Sequence, residues 1–176
     1  MGAATDSTSA RLTVAPMRQE DWPSVARIYA AGIEGGNATF EQEVPEWEQW
    51  REAHVKDPCL VACGPTGEVL GWAALSPTSA RPVYRGVAEV SVYVDPAVAR
   101  QGIGRALLRA LVEHSERAGF WTLTAGIFPE NEASIALHEA CGFQLVGVHK
   151  RVGQMGDGRW RDVLLYERRS ATVGQD

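Results

Sequence analysis

The sequence predicts a single α/β domain with a mixed sheet flanked by helices, and three observations predict it. At 176 residues the chain suits one domain and can bury a substantial core without staples. Stretches with strand-like apolar patterns interleave with stretches of helical spacing, in the order β-α-α-β-β-β-α-β-α-β-β. No internal repeat, low-complexity run or long linker divides them.

Residues 1–10, MGAATDSTSA, are small and polar and read as a disordered tail. They lack the basic start and apolar run of a signal peptide, and Asp6 stands where a myristoylation pattern wants Ser or Thr. Residues 11–15 alternate as a short first strand. Asp21 and Pro23 mark a helix start, and Val25, Ile28, Tyr29 and Ile33 then recur at helical spacing. Gly32, Gly35 and Gly36 are expected to close that helix, which leaves G-G-N-A-T-F as a loop. Pro45-Glu46-Trp47 opens a second helix, with Trp47, Trp50 and His54 spaced by three and four.

C-L-V-A-C (59–63), the turn G-P-T-G (64–67) and E-V-L-G-W-A-A-L (68–75) form a hairpin. V-A-E-V-S-V-Y-V (87–94) is the strongest strand and ends at Asp95-Pro96. A basic loop leads into a helix carrying Ile103, Leu107 and Leu111. Residues 121–127 are a strand, a helix runs from near Asn131 to Gly142, and 143–149 and 161–167 are a final strand pair turned at G-D-G (156–158).

Composition narrows the function. A net charge of −5 argues against a nucleic-acid surface. No stretch approaches the length of apolar chain that spans a membrane. Cys59, Cys63 and Cys141 are an odd set without a C-x-x-C pair, so a reducing cytoplasm is expected and a disulfide framework is not. Cys59 and Cys63 would share one face of a strand, but no histidine or acid follows at ligand spacing, so they read as buried hydrophobes and no metal site is expected.

The chemistry concentrates in V-S-V-Y-V-D-P-A-V-A-R-Q-G-I-G-R-A-L-L, where a strand feeds a glycine-bearing loop that opens into a helix. Backbone N–H groups of such a loop and of a helix's first turn suit a pyrophosphate, and Arg100 and Arg105 add positive charge. A Walker loop would need G-K-[ST], which is missing, and a dinucleotide fingerprint would need glycine where Leu107 stands.

What remains, Gln101-Gly102-Ile103-Gly104-Arg105-Ala106, resembles the coenzyme A pyrophosphate motif Q-x-x-G-x-A of the GNAT superfamily of N-acetyltransferases. N-E-A-S-I-A-L-H-E-A-C-G-F (131–143) is similar to that superfamily's second signature, in the expected order. G-N-A-T-F-E, A-E-V-S-V-Y-V, H-E-A-C-G-F and G-R-W-R-D look like its phosphinothricin and methionine-sulfone acetyltransferase branch, over about residues 11–169. The resemblance implies a GNAT domain over 11–169, with 170–176 as a C-terminal tail, and a central sheet that splays. It implies acetyl-CoA as co-substrate and commonly a homodimer.

Acetylation needs a neutral amine, hence a base. Glu89 interrupts an apolar strand expected to be mostly buried, where desolvation raises a carboxyl's pKa; the competing reading is an outward-facing or salt-bridged side chain. The resemblance places the family's catalytic glutamate there. It also places His138 where many members carry tyrosine, as a candidate acid for the departing thiolate, or else as a packed histidine. At Leu108, where some relatives carry tyrosine, tyrosine chemistry is excluded.

Backbone groups of Val92, Tyr93 and Val94 would hold the pantetheine arm as an added strand, and one N–H could hold a developing oxyanion. Residues Arg100, Gln101, Gly102, Ile103, Gly104 and Arg105 would hold the pyrophosphate. Asn131 and Ser134 look like cofactor contacts near the thiol, or equally like a helix cap and first turn. For the acceptor, Phe40 with Arg81, Tyr84 and Arg85 are the candidates, since arginine grips a carboxylate with two prongs. Trp160, Arg161 and Asp162 support the site or a dimer contact. The expected function is acetylation of a small amino-acid-like amine of phosphinothricin, methionine sulfone or sulfoximine type. The alternatives are a protein or peptide N-acetyltransferase and a non-catalytic acyl-CoA sensor.

Overall fold

The computed structural model describes residues 12–175, so the tail expected over residues 1–10 lies outside the described residues. The strands are β1 (Thr13–Pro16), β2 (Cys59–Cys63), β3 (Val69–Pro77), β4 (Val87–Val94), β5 (Thr122–Ile127), β6 (Gln144–Gln154) and β7 (Trp160–Arg169). The helices are α1 (Trp22–Glu34), α2 (Trp47–Ala53), α3 (Ile103–Arg117) and α4 (Glu132–Ala140). The strands form one sheet in the order β1-β2-β3-β4-β5-β7-β6. Every neighbouring pair is antiparallel except β4 with β5. The predicted element order holds, and the structure adds three short 3-10 turns around residues 19, 82 and 96.

The sheet is covered on both faces, which explains why its central strands are apolar throughout instead of strictly alternating. Leu60, Ala62, Ala73, Leu75, Ala88 and Val90 point to one core, closed by Ile103, Leu107, Leu108 and Leu111 of α3. Cys59, Val61, Trp72 and Ala74 point to the other, closed by Val25 and Ile28 of α1 and Trp50 of α2. Cys59 and Cys63 do share that second face, and burial pushes the Cys59 thiol up to about 11. All three cysteines are free. No helix among the described residues is long and apolar enough to cross a membrane.

Three local readings are corrected. The first helix runs through Gly32 to Glu34, because Gly32 is not a stop: a Cβ there would sit 2.7 Å from the Tyr93 ring. His54 lies beyond α2, in extended backbone. The last hairpin is longer than expected, with β6 reaching Gln154, because β7 supplies a ladder partner as far as Trp160. At the C-terminal end, Ser170 is buried, its N–H donating to the Trp121 carbonyl and its hydroxyl to Glu116.

Tyr93 has little room to yield to a side chain at Gly32. It stacks on Trp72 at 4.7 Å between ring centroids and meets Tyr29 edge-on at 5.0 Å. Gly32→Ala is therefore expected to lower unfolding free energy by about 1–3 kcal/mol through overpacking, although alanine is the better helix former. Urea denaturation measures it, and a stabilised variant would refute this packing account.

Candidate active site

The site begins with an interrupted ladder. β4 pairs with β5 only at Val87–Thr122, Ala88–Leu123 and Glu89–Thr124. Beyond Glu89 the strands part: β4 stays bound to β3 as far as Gly71–Val94, and β5 stays bound to β7 as far as Ile127–Leu164. From Val90 onward the β4 edge facing β5 has no strand partner among the described residues. Such backbone groups demand a partner, whether water or a ligand. A cleft of about 810 Å³ fills the gap, walled by Glu89–Tyr93 on one side and Ala125–Phe128 on the other.

Alternation along β4 turns Glu89 toward the face covered by α1 and α2, opposite the buried Ala88 and Val90. Glu89 is the one exposed residue of β4, beside the cleft that the splay opens. The cleft walls still desolvate its carboxyl and raise its pKa above the ordinary carboxylate range. It has no hydrogen-bond or ion-pair partner among the described residues, so neither a salt bridge nor a donor offsets that effect.

His138 comes from the other side of the sheet, on α4, and is buried against Phe143 with ring centroids 5.1 Å apart. Its Nδ1 lies 2.7 Å from the Ser134 carbonyl oxygen, which can only accept, so Nδ1 carries the hydrogen and donates. Burial lowers its pKa. The imidazole is thus neutral at neutral pH, with Nε2 as an acceptor. Leu108 is fully buried in the α3 core.

The candidate anion-binding loop is built from its own backbone. Asp95 ends β4, its carboxylate accepting from the Ala97 N–H at 3.0 Å and pairing with Arg27 at 2.8 Å, so its pKa is lowered. Arg100 and Gly102 both take positive φ, 64° and 81°, which turns the chain into α3. Only Gly102 adopts that geometry without a Cβ penalty. Ile103, Gly104 and Arg105 supply the first turn's free N–H groups, while the exposed Arg100, Gln101 and Arg105 surround them. Gly104 has a packing reason too: a Cβ there would come 3.2 Å from Leu137 of α4.

Of the expected site residues, Phe40, Glu89, Val92, Tyr93, Asn131, Ser134 and His138 converge on the cleft. Val94 lies just beyond it. Asn131 caps α4, its Oδ1 accepting from Ser134 N–H at 3.1 Å, and its Nδ2 donates to the Asn37 carbonyl at 2.9 Å. Arg81, Tyr84 and Arg85 are not brought in. They lie exposed around the 3-10 turn before β4, Arg81 over the Tyr84 ring at 5.5 Å and Arg85 over Trp121 at 5.3 Å.

Sequence reasoning missed Tyr29, Thr39, Trp50, His54 and Ser91, which also line the cleft. His54 carried no motif; it stacks on Trp50 at 4.1 Å and donates from Nδ1 to the Trp50 carbonyl at 2.6 Å. Burial lowers its pKa as well. Glu41, Glu43 and Glu46 join Glu89 on the lining, whereas no arginine or lysine among the described residues does.

A strand that leaves its parallel neighbour, a cleft in the gap and an anion loop opening a helix together fit a long, phosphorylated thioester cofactor. Residues 17–143 match the acetyltransferase (GNAT) family, and the chain belongs to that family. It is 39% identical over 162 residues to the phosphinothricin N-acetyltransferase of Alcaligenes faecalis, covering 89% of this chain and 81% of that one. It is 34% identical over 152 residues to the L-methionine sulfoximine/L-methionine sulfone acetyltransferase of Pseudomonas paraeruginosa, covering 84% and 88%. A solved phosphinothricin acetyltransferase from Sinorhizobium meliloti, in complex with AcCoA, superposes with a TM-score of 0.84 at 31% identity, covering 94% and 91%. The protein is therefore an acetyl-CoA-dependent N-acetyltransferase with the GNAT fold.

The raised pKa of Glu89 has a consequence for stability. Ionising the carboxyl is harder in the folded state, so the group destabilises the fold above its raised pKa and does so no longer below the ordinary carboxylate range. Glu89→Gln is expected to melt at or slightly above the wild-type Tm at neutral pH, and the two are expected to converge below about pH 4. A variant that melts clearly lower at neutral pH would mean that the carboxylate has a stabilising partner.

Proposed function

We propose that Glu89 is the general base that takes a proton from a small amino-acid-like amine held against the parted end of β4. The observation that carries this reading is a partnerless carboxyl with a raised pKa at the last rung before the strands separate. A carboxylate so tuned accepts a proton from an ammonium group more readily than an ordinary one. In this reading backbone groups of Val92, Tyr93 and Val94 would hold the pantetheine arm, and the Arg100–Arg105 loop would hold the pyrophosphate. When bound, acetyl-CoA supplies the activated acyl carbon. The ammonium loses two protons in all, one to solvent and one matched by the proton that the released thiol gains. Catalysis therefore needs no net proton donor, and His138 acts through Nε2 as an acceptor that orients a donor in the cleft.

The names of the relatives support phosphinothricin-like and methionine sulfoximine- or sulfone-like acceptors. The lining favours a second reading. Among the described residues four glutamates and no arginine or lysine line the cleft, which suits an amine that carries no carboxylate. A cytoplasmic homodimer is also part of the proposal. Its support is the family pattern and the exposed Leu145, Val146 and Val148 on β6, the edge strand of the sheet.

Thiol release from acetyl-CoA, measured on free amino acids, their sulfone and phosphinate analogues, simple amines and short peptides, tests these readings. One small amino-acid analogue is expected to turn over fastest. Glu89→Gln is expected to lose about 10²–10⁴-fold in kcat with acetyl-CoA binding intact, together with the acid limb of the pH profile, which lies above the ordinary carboxylate range. Preference for simple amines would favour the second reading, preference for peptides a protein acetyltransferase, and cofactor binding without turnover a sensor. A fully active Glu89→Gln would remove the base assignment. Val146→Glu with Val148→Glu is expected to shift a dimer to monomer in sedimentation, and a wild-type monomer would refute the dimer.

A further inference from the structure

The loop of residues 35–46, between α1 and α2, has no regular secondary structure, yet it supplies Thr39, Phe40 and Glu41 to the cleft wall. An irregular loop can present a wall only if something fixes its backbone. Here the anchor is Arg161, one of the few buried charged side chains among the described residues. Its Nη1 donates to the Gly36 carbonyl at 2.7 Å, and its Nη2 donates to Asn37 Oδ1 at 2.7 Å. The same Nη2 pairs with Glu130 at 2.7 Å and holds that carboxyl below the usual range.

The guanidinium also lies over the Phe128 ring, 3.7 Å from its centroid. Phe128 in turn meets Phe40 edge-on, with centroids 4.8 Å apart and planes at 89°. Asn131 adds an independent tie to the Asn37 carbonyl. Arg161 itself does not line the cleft, whereas Phe128 and Phe40 do.

We infer that Arg161 is a positioning residue for the acceptor: it clasps the 36–37 backbone and, through Phe128, sets the ring of Phe40 against the acceptor. The inference rests on the acetyltransfer reading above for what the wall touches. Arginine suits the task because one planar group supplies two directed donors and a face for an aromatic ring. A lysine ammonium keeps the charge and loses the fork and the face. Arg161's own polar partners, Gly36, Asn37 and Glu130, do not line the cleft along β4, so the two substrates are expected to respond differently to its loss.

The test is steady-state kinetics of Arg161→Lys with both substrates varied, together with amide hydrogen exchange. The acceptor KM is expected to rise about tenfold to a hundredfold, the scale of a misplaced wall, while the acetyl-CoA dissociation constant stays unchanged. Combining Arg161→Lys with Phe40→Ala is expected to raise that KM no further than the larger single effect, because both act on one contact. Additive effects, or an acetyl-CoA affinity that falls in step with the acceptor's, would overturn the assignment.

Exchange over residues 36–46 is expected to quicken in the variant while α3 is unaffected. Unchanged exchange there would refute the clasp whether or not an acceptor is known. Faster exchange alongside a wild-type enzyme silent on every amine would support the clasp and defeat only the acetyltransfer reading. Should Arg161→Lys not fold, Asn37→Ala removes one acceptor of the same guanidinium from a half-buried position, and the same pattern is expected at smaller size.

Discussion

The interrupted ladder between β4 and β5 is the constraint on which the rest of the structure depends. Three residues of parallel pairing hold the two halves of the sheet together, and the next residue opens the cleft. Each strand can leave the other because each has a continuous antiparallel partner on its far side, β3 for β4 and β7 for β5. The sheet keeps its cohesion while one row of backbone donors and acceptors stays free. An extended ligand that supplies the missing strand satisfies that row, and this is the physical sense in which the fold anticipates a pantetheine arm. The anion loop follows at once, because the same strand that parts from β5 also leads through Asp95 into the start of α3.

The electrostatics of the cleft follow from the same geometry. Protein walls close around groups that remain open to a ligand, so desolvation acts without full burial. It pushes the Glu89 carboxyl up and the imidazoles of His54 and His138 down, and in all three it favours the neutral form. A carboxyl of raised pKa that shares its cleft with neutral imidazoles would suit the receipt of a proton from an amine. Both histidines donate from Nδ1 to the backbone carbonyl four residues earlier, His54 to Trp50 and His138 to Ser134, which settles each tautomer without any acid near it.

Much of the fold was legible in the sequence, for identifiable reasons. β2, β3 and β4 are short apolar runs bounded by turn residues, and α3 carries a clear apolar stripe ended by glycine, so local pattern and tertiary role agree. The loop of residues 95–102 was legible because a strong strand runs through glycines directly into a helix, and Gly102 does take a positive φ where the chain enters α3. Glu89 stood out as a charge inside an apolar strand. What failed was decided by contacts distant in sequence. Gly32 looks like a helix stop, yet Tyr93, sixty-one positions later in the chain, makes it a packing glycine. Arg81 and Arg85 look like a carboxylate grip, but a 3-10 turn carries them away from the cleft. Arg161 carried a motif and no mechanism, because its partners at Gly36, Asn37 and Glu130 come from two other parts of the chain.

The central claim is that the free edge of β4 receives the cofactor. Residue-resolved amide exchange or chemical-shift mapping, with and without acetyl-CoA, tests it most directly. The account predicts perturbation concentrated on the amides of Val92–Val94 and of Gly102–Arg105, with β1 and β2 unaffected. Perturbation confined to other surfaces, with the β4 edge silent at saturating acetyl-CoA, would contradict it.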